Sequence, residues 1–196
     1  MEYLKAAHLA SDPRPAMGRI VAEGFYQWLN YFSKDKERLA RAMEHCFNLD
    51  VFYVAVADGD ITAIAACTDG TARSVHFERR PLQQHLGMAS GLIAHRMLRK
   101  HLEEHDYPFE PKPNTGSIEF VATALPHRGH GHASKLIEHI FSSTSHDQYV
   151  LEVADTNITA VKLYEKLGFE VFKQVDSPSP RQSGFNAYLY MEKPAS

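Results

Sequence analysis

Apolar positions along this chain recur at two spacings, and the points where the spacing changes divide it into elements. Over residues 16–32 they fall at Ile20, Val21, Gly24, Phe25, Trp28, Leu29 and Phe32, the step of three and four of a helix with one buried face. Pro13 and Pro15 suit its first turn. A second helix fits 34–47, through Leu39, Ala42, Met43, Cys46 and Phe47. Two compact apolar runs follow at 51–57 and 61–67, and the Asp58-Gly59 pair between them signals a hairpin. Residues 1–10 carry a weak first-strand pattern. From 81 to 104, Leu82, Leu86, Ala89, Ile93 and Met97 step by four and three, which predicts one long helix. Prolines at 108, 111 and 113 make 106–116 a loop.

The second half alternates more strictly. An apolar run from Ile118 stops at Leu125-Pro126, and a helical pattern resumes at Ala133, Leu136, Ile137, Ile140 and Phe141. Then come a strand at 149–154, a helix at 158–167 capped by Gly168, a strand at 169–175, a turn-rich loop at 177–184 and a last strand at 185–192. The order is mixed α/β, with no repeat and no linker, so residues 1–196 are expected to form a single domain.

Between the run ending at Leu125 and the next helix lies Arg128-Gly129-His130-Gly131-His132-Ala133. A strand that feeds a glycine-rich turn at a helix N-terminus is a way to bind phosphate. Glycines let the backbone approach closely, and the first-turn amides have no partner inside the helix. No Gly-Lys-Ser/Thr follows, so this is not the triphosphate loop. The third glycine of the dinucleotide fingerprint is also absent.

Composition narrows the partners. The chain has 196 residues, 44% of them apolar, and a formal net charge of −3 with no basic block, which argues against nucleic acid. No apolar run reaches the ~18 residues of a membrane span, and the first residues carry no export signal, so a cytoplasmic protein is expected. Cys46 and Cys67 sit among apolar residues and read as buried thiols. Twelve histidines raise the question of metal. His101-Leu-Glu-Glu-His105 fits a zinc-peptidase spacing, but a solvated helix end explains it as well. His127, His130 and His132 read as residues whose backbone binds. No metal is expected.

The segment from Leu151 to Val171, LEVADTNITAVKLYEKLGFEV, lies about twenty residues past the turn. Together the two stretches resemble the GNAT N-acetyltransferase superfamily. Arg128, Gly131 and Ala133 match its acyl-CoA motif, Arg/Gln-x-x-Gly-x-Gly/Ala. Asn157, Ala160, Leu163, Tyr164, Gly168 and Phe169 match its Asn-x-x-Ala-x-x-Leu-Tyr-x-x-x-Gly-Phe signature. The match is sharp over 117–172. It implies a central mixed, mostly antiparallel sheet of about seven strands, splayed in the middle and flanked by helices. The long helix at 81–104 would be an addition between the third and fourth strands, covering the acceptor cleft or forming a homodimer face.

The resemblance also implies roles. Acetyl-CoA would be the co-substrate, and a primary amine of a small molecule the acceptor. The backbone of Val121, Ala122 and Thr123 would pair with the pantetheine arm, with a β-bulge near 122–124. Amides of Arg128, Gly129, His130, Gly131, His132 and Ala133, with Ser134, would hold the pyrophosphate. Asn157 would bond the cofactor arm or order its loop, and Tyr164 would face the sulfur as the acid that protonates the thiolate. Elementary chemistry agrees: a phenol of pKa about 10 suits a thiolate of pKa about 8.5 or higher. An alkylammonium is only about one part in a thousand neutral at pH 7, so a base helps. Glu152 is the first candidate, as Leu-Glu-Val before the Asn is frequent in relatives that use this Glu, and Glu119 the second. Each alternates with apolar neighbours on its strand. Neither cysteine lies in a motif, which favours direct transfer in a ternary complex. A non-catalytic acyl-CoA-binding or regulatory module and a peptide N-acetyltransferase are the alternatives.

Overall fold

The structure, a computed structural model, describes residues 1–104 and 107–194, and of Gln182 only the backbone. Seven strands form one sheet in the order β1-β2-β3-β4-β5-β7-β6. They are β1 (Glu2–Lys5), β2 (Phe52–Ala57), β3 (Asp60–Thr68), β4 (Thr115–Thr123), β5 (Gln148–Ala154), β6 (Glu170–Asp176) and β7 (Ala187–Pro194). Every neighbouring pair is antiparallel except β4 and β5, which run parallel. A parallel pair needs a crossover, and the helix between them supplies it.

The pleat sorts the core into two layers. Phe52 and Val54 of β2 face one side with Ile64 and Ala66 of β3. Helices α1 (Arg14–Gly24), α3 (Lys36–Met43), α4 (Arg79–Leu86) and α5 (Met88–Leu98) cover that side through Met17, Ile20, Leu39, Met43, Leu82 and Ala94. Tyr53, Ala55, Ala63 and Ala65 face the other, under α6 (His132–Ser143) and α7 (Ile158–Lys166), which bring Leu136, Ile137, Ile140 and Tyr164. Asp35 caps α3, accepting from the amides of Glu37 at 2.9 Å and Arg38 at 3.2 Å.

Two expected helices are shorter than their patterns. The 16–32 helix breaks at Phe25 (φ −110°, ψ 17°) and resumes as the single turn α2 (Tyr26–Leu29). The 81–104 helix breaks at Gly87 (φ 90°, ψ 160°), a conformation closed to other residues, which separates α4 from α5. The two then fold back closely enough that a Cβ on Gly91 would lie 2.4 Å from Gln83 Cα. Of the apolar steps that run across Gly87, Leu82 and Leu86 are buried, but Ala89 and Ile93 are exposed; the turn at Gly87 rotates α5 so that it meets the core through Gly91, Ala94 and Leu98 instead. Beyond α5, residues Arg99–Glu103 form a turn of π-helix, fixed where Glu103 accepts from the Phe77 amide at 2.8 Å and pairs with His76 Nδ1 at 2.9 Å. His105 of the histidine pair lies outside the described residues. The 177–184 loop holds the short helix α8 (Pro180–Ser183), tied to α2 by Trp28 Nε1 donating to Ser183 O at 3.0 Å. Among the described residues no helix is long and apolar enough to cross a membrane.

Candidate active site

The splay between β4 and β5 organises the site. The two strands pair only at Thr115 with Gln148, Gly116 with Tyr149 and Ser117 with Val150. From Ile118 onward they part, so the β5-facing edge of Val121, Ala122 and Thr123 has no strand opposite. Between the pairs Ile64–Ala122 and Ala66–Glu119, β4 has one residue more than β3. This bulge lies at 119–122, upstream of the expected 122–124. Phe120 carries it with φ 51°, its ring wedged 6.0 Å from both Phe25 and Phe52. Ile118 and Val121 thereby pack toward α6, and Phe120 and Ala122 toward α1.

Past β4 the chain makes a single 3₁₀ turn, Leu125–His127, and enters the glycine turn. Gly129 (φ 79°) and Gly131 (φ 76°) are both left-handed, and a Cβ on either would meet open space. Among the described residues, no group accepts a hydrogen bond from the amides of Gly129, His130, Gly131, His132, Ala133 or Ser134. Lys135 is the first to donate, to Gly131 O at 3.1 Å. Six consecutive unspent donors at the N-terminus of a twelve-residue helix form an anion cradle. That donor set fits a pyrophosphate. Arg128 braces the cradle: its Nε donates to Thr123 O at 3.2 Å, and its side chain is exposed. The imidazoles of His127 and His130 lie 5.4 and 6.2 Å from that of buried His132, whose Nδ1 has no hydrogen-bond partner among the described residues.

Tyr164, on α7, is 7% exposed and stacks edge-on against Phe169. Its hydroxyl has no hydrogen-bond partner among the described residues, and burial holds the phenol far above its ordinary range. Asn157 caps α7, its Oδ1 accepting from Ala160 N at 3.3 Å. Gly168 (φ 89°) ends the helix, with Phe169 N donating back to Tyr164 O at 3.0 Å. The Asn-to-Phe signature is thus a capped helix that fixes where Tyr164 sits.

On the α1 side of the splay opens a cleft of about 470 Å³. Glu119 and Glu152 both line it, from neighbouring strands. Glu119 accepts from Thr68 Oγ1 at 2.9 Å and Ser74 Oγ at 2.5 Å. Glu152 stands opposite Tyr190 across the β5–β7 pair, and the Tyr190 phenol is raised by burial and by that carboxylate. Of the five aromatics on the first helical segment, Phe25 alone lines the cleft, and no described residue of 177–184 does. The π-turn does, through His101, Leu102 and Glu103, so the end of the inserted segment covers the cleft. Sequence reasoning passes over Thr68, Ser74, Tyr107 and Tyr190. Only the alternation that points Tyr190 to the same face as Glu152 marks any of them. Both cysteines are buried. Burial pushes the Cys67 thiol up to about 12 and that of Cys46 higher. Among the described residues no group of three potential ligands could hold a metal ion.

The sequence matches the model of the acetyltransferase (GNAT) family over residues 22–169. Solved structures share the fold at low identity. An N-acetyltransferase from Staphylococcus aureus Mu50 is 17% identical with a TM-score of 0.64, the match covering 98% of this chain and 100% of that one. The ribosomal-protein-alanine N-acetyltransferase from Brucella melitensis is 16% identical at 0.59, covering 99% of each. The ribosomal-protein-S18-alanine N-acetyltransferase from Escherichia coli is 16% identical at 0.55, covering 100% and 94%. No curated protein matches the sequence at significant similarity. With the motif-bearing turn, the splayed strands and a family match over most of its length, the chain belongs to the acetyltransferase (GNAT) family.

Proposed function

We propose that this chain, acting as one catalytic unit over residues 1–196, transfers an acetyl group directly from acetyl-CoA to a primary amine of a small molecule. One observation carries the reading: six unpaired amides at one end of the β4–β5 splay, and a cleft bearing two carboxylates on its α1 side. Acetyl-CoA, when bound, supplies an activated acyl group on a good thiolate leaving group.

The residues do the rest. Amides of Gly129, His130, Gly131, His132 and Ala133, with Ser134, neutralise the pyrophosphate without a metal. The open edge of Val121, Ala122 and Thr123 takes the pantetheine arm as an added strand. Glu152 receives the ammonium proton, directly or through water, and Glu119 is the second carboxylate within the same cleft. Tyr164 gives its proton to the departing sulfur. Burial keeps that phenol protonated, and its hydroxyl has no hydrogen-bond partner among the described residues. Holding two substrates in attack geometry removes the need for an enzyme nucleophile. Buried thiols with raised pKa supply none.

A cleft of about 470 Å³, closed on one side by the π-turn, suits a small molecule rather than a threaded peptide. The test follows thiol release from acetyl-CoA across a panel of small amines and alanine-terminated peptides, with thermal shift by coenzyme A measured alongside. Turnover with small amines is expected. Stabilisation by coenzyme A without turnover on any acceptor would overturn the reading in favour of a binding module.

A further inference from the structure

Aromatic rings wall the cleft from two directions, and acetyl transfer to an amine needs none of them. Phe25 and Phe120 line it from the α1 side, with ring centroids 6.0 Å apart. Tyr107 and Phe109 line it from the segment before β4, stacked at 4.8 Å with their planes 28° apart. All four are half-buried. The second pair is anchored. Tyr107 Oη shares a hydrogen bond with Ser117 Oγ at 2.5 Å, and Lys173 Nζ donates to Pro108 O at 2.6 Å. Phe109 packs edge-on against Phe172 at 4.9 Å and Tyr190 at 5.6 Å. Rings fixed in this way present their surface to a ligand without an ordering cost.

The first pair is held under strain. On a regular strand Glu119 and Phe120 would face opposite sides of the sheet. The bulge turns both to the α1 side, where both line the cleft. It holds Phe120 at φ 51°, a left-handed conformation that a bulky side chain adopts only at a cost. A glycine would splay the strands without that cost. What phenylalanine adds is a ring, packed on Phe25 and Phe52 and set in the cleft wall beside Glu119.

Glu152 stands between the two pairs. Its strand, β5, lies between β4 and β7, and it faces Tyr190 of β7, on which Tyr107 and Phe109 both pack edge-on. Rings that gripped the ammonium itself would keep it protonated and oppose transfer. They serve the part of the acceptor beyond the amine. Offset and edge-to-face contacts favour a flat ring there over an aliphatic group of similar size.

We infer that the acceptor is a primary amine joined by a short carbon chain to an aromatic ring, the ring held between the two aromatic pairs and the amine at Glu152. The inference rests on the acetyl-transfer reading of the same cleft. It makes Phe109 and Phe25 specificity-determining residues, one on each wall.

The test uses the full chain with saturating acetyl-CoA and three acceptors: phenethylamine, cyclohexylethylamine and butylamine. The first two share a carbon chain and differ in aromaticity, and the third lacks the ring. kcat/KM for phenethylamine is expected to exceed that for butylamine at least about tenfold and that for cyclohexylethylamine at least about threefold, mostly through KM. Phe109→Leu keeps the wall apolar and removes its ring, so the phenethylamine-to-cyclohexylethylamine ratio should fall toward one. The amines differ in basicity equally for wild type and variant, so that fall isolates the wall. Phe25→Leu asks the same of the opposite wall and keeps the test intact if Phe109→Leu folds poorly. A wild-type preference for butylamine or cyclohexylethylamine, or a ratio that neither variant lowers, overturns the inference and leaves acetyl transfer standing. If no acceptor turns over, acetyl transfer itself fails, and calorimetric titration of phenethylamine and cyclohexylethylamine into the chain decides the ring site separately. Tighter binding of phenethylamine that Phe109→Leu abolishes sustains the site, and equal binding, or none, removes it.

Discussion

Replacing Gly131 by aspartate places a charge at the mouth of the amide cradle. Gly131 caps α6 with φ 76°, and a Cβ there meets no atom within 4 Å. The fold therefore loses only the left-handed penalty, about 1 kcal/mol and less for aspartate, whose short side chain tolerates this region. For a domain of this size that is a fall in Tm of roughly 2–4 °C. Binding loses more. A carboxylate about 4 Å from a phosphate charge costs about 1 kcal/mol in water and about 4 kcal/mol at an effective dielectric of 20. At about 1.4 kcal/mol per tenfold, coenzyme A affinity should drop between about fivefold and several hundredfold. Gly131→Asn has the same shape without the charge, so the ratio of the two variants isolates electrostatics from backbone strain. Isothermal titration with coenzyme A, after a melting curve of each apo protein, reads both. If aspartate and asparagine bind coenzyme A equally and as tightly as glycine, the cradle does not hold the pyrophosphate.

Tyr164→Phe removes the proposed proton donor while keeping the ring against Phe169. Turnover should fall at least about tenfold with coenzyme A affinity retained, and unchanged turnover would remove the acid role. Gly91→Ala drives a Cβ to 2.4 Å from Gln83 Cα and 2.6 Å from its nitrogen, both backbone atoms, so α4 and α5 must separate. A loss of about 1–3 kcal/mol is expected in a denaturant melt, and an unperturbed midpoint would contradict the packing. His132 responds to pH in two opposite senses. Desolvation, then the imidazoles of His127 and His130, lower its pKa in the folded apo chain. The unfolded chain therefore takes up the proton more readily as pH falls through about 6.5, and apo stability should decline there. A bound pyrophosphate favours the imidazolium, so coenzyme A affinity should rise over the same range. Melting curves with and without coenzyme A, compared with His132→Gln, check both signs.

The parts of this fold legible in the sequence are those fixed by local chemistry. Asp58-Gly59, the Gly168 cap and the alternating strands need only near neighbours to declare themselves. The turn from Arg128 to Ala133 and the signature from Asn157 to Phe169 are local too, which is why the family could be read from them. Breaks within helices were hidden. Gly87 ends α4, yet apolar spacing runs on through it into Ala89 and Ile93, which the structure leaves exposed while Gly91, Ala94 and Leu98 face the core. The bulge was misplaced because its position follows from Phe120 wedging between Phe25 and Phe52, residues remote in the chain. Cleft chemistry was the least legible. Thr68 and Ser74 reach Glu119 across 51 and 45 residues, and Tyr190 meets Glu152 through strand register alone. Neither distance nor register leaves a mark in a single sequence.

Amide chemical shifts test the central claim most directly. A ¹⁵N-labelled chain titrated with coenzyme A should move the amides of Gly129, His130, Gly131, His132, Ala133 and Ser134 most, the donors left unspent by the fold. Those of Val121, Ala122 and Thr123 along the open β4 edge should follow. Shifts that spare the turn and gather instead around Asp69 and Ser74 in the cleft, or no shifts at all, would contradict the account.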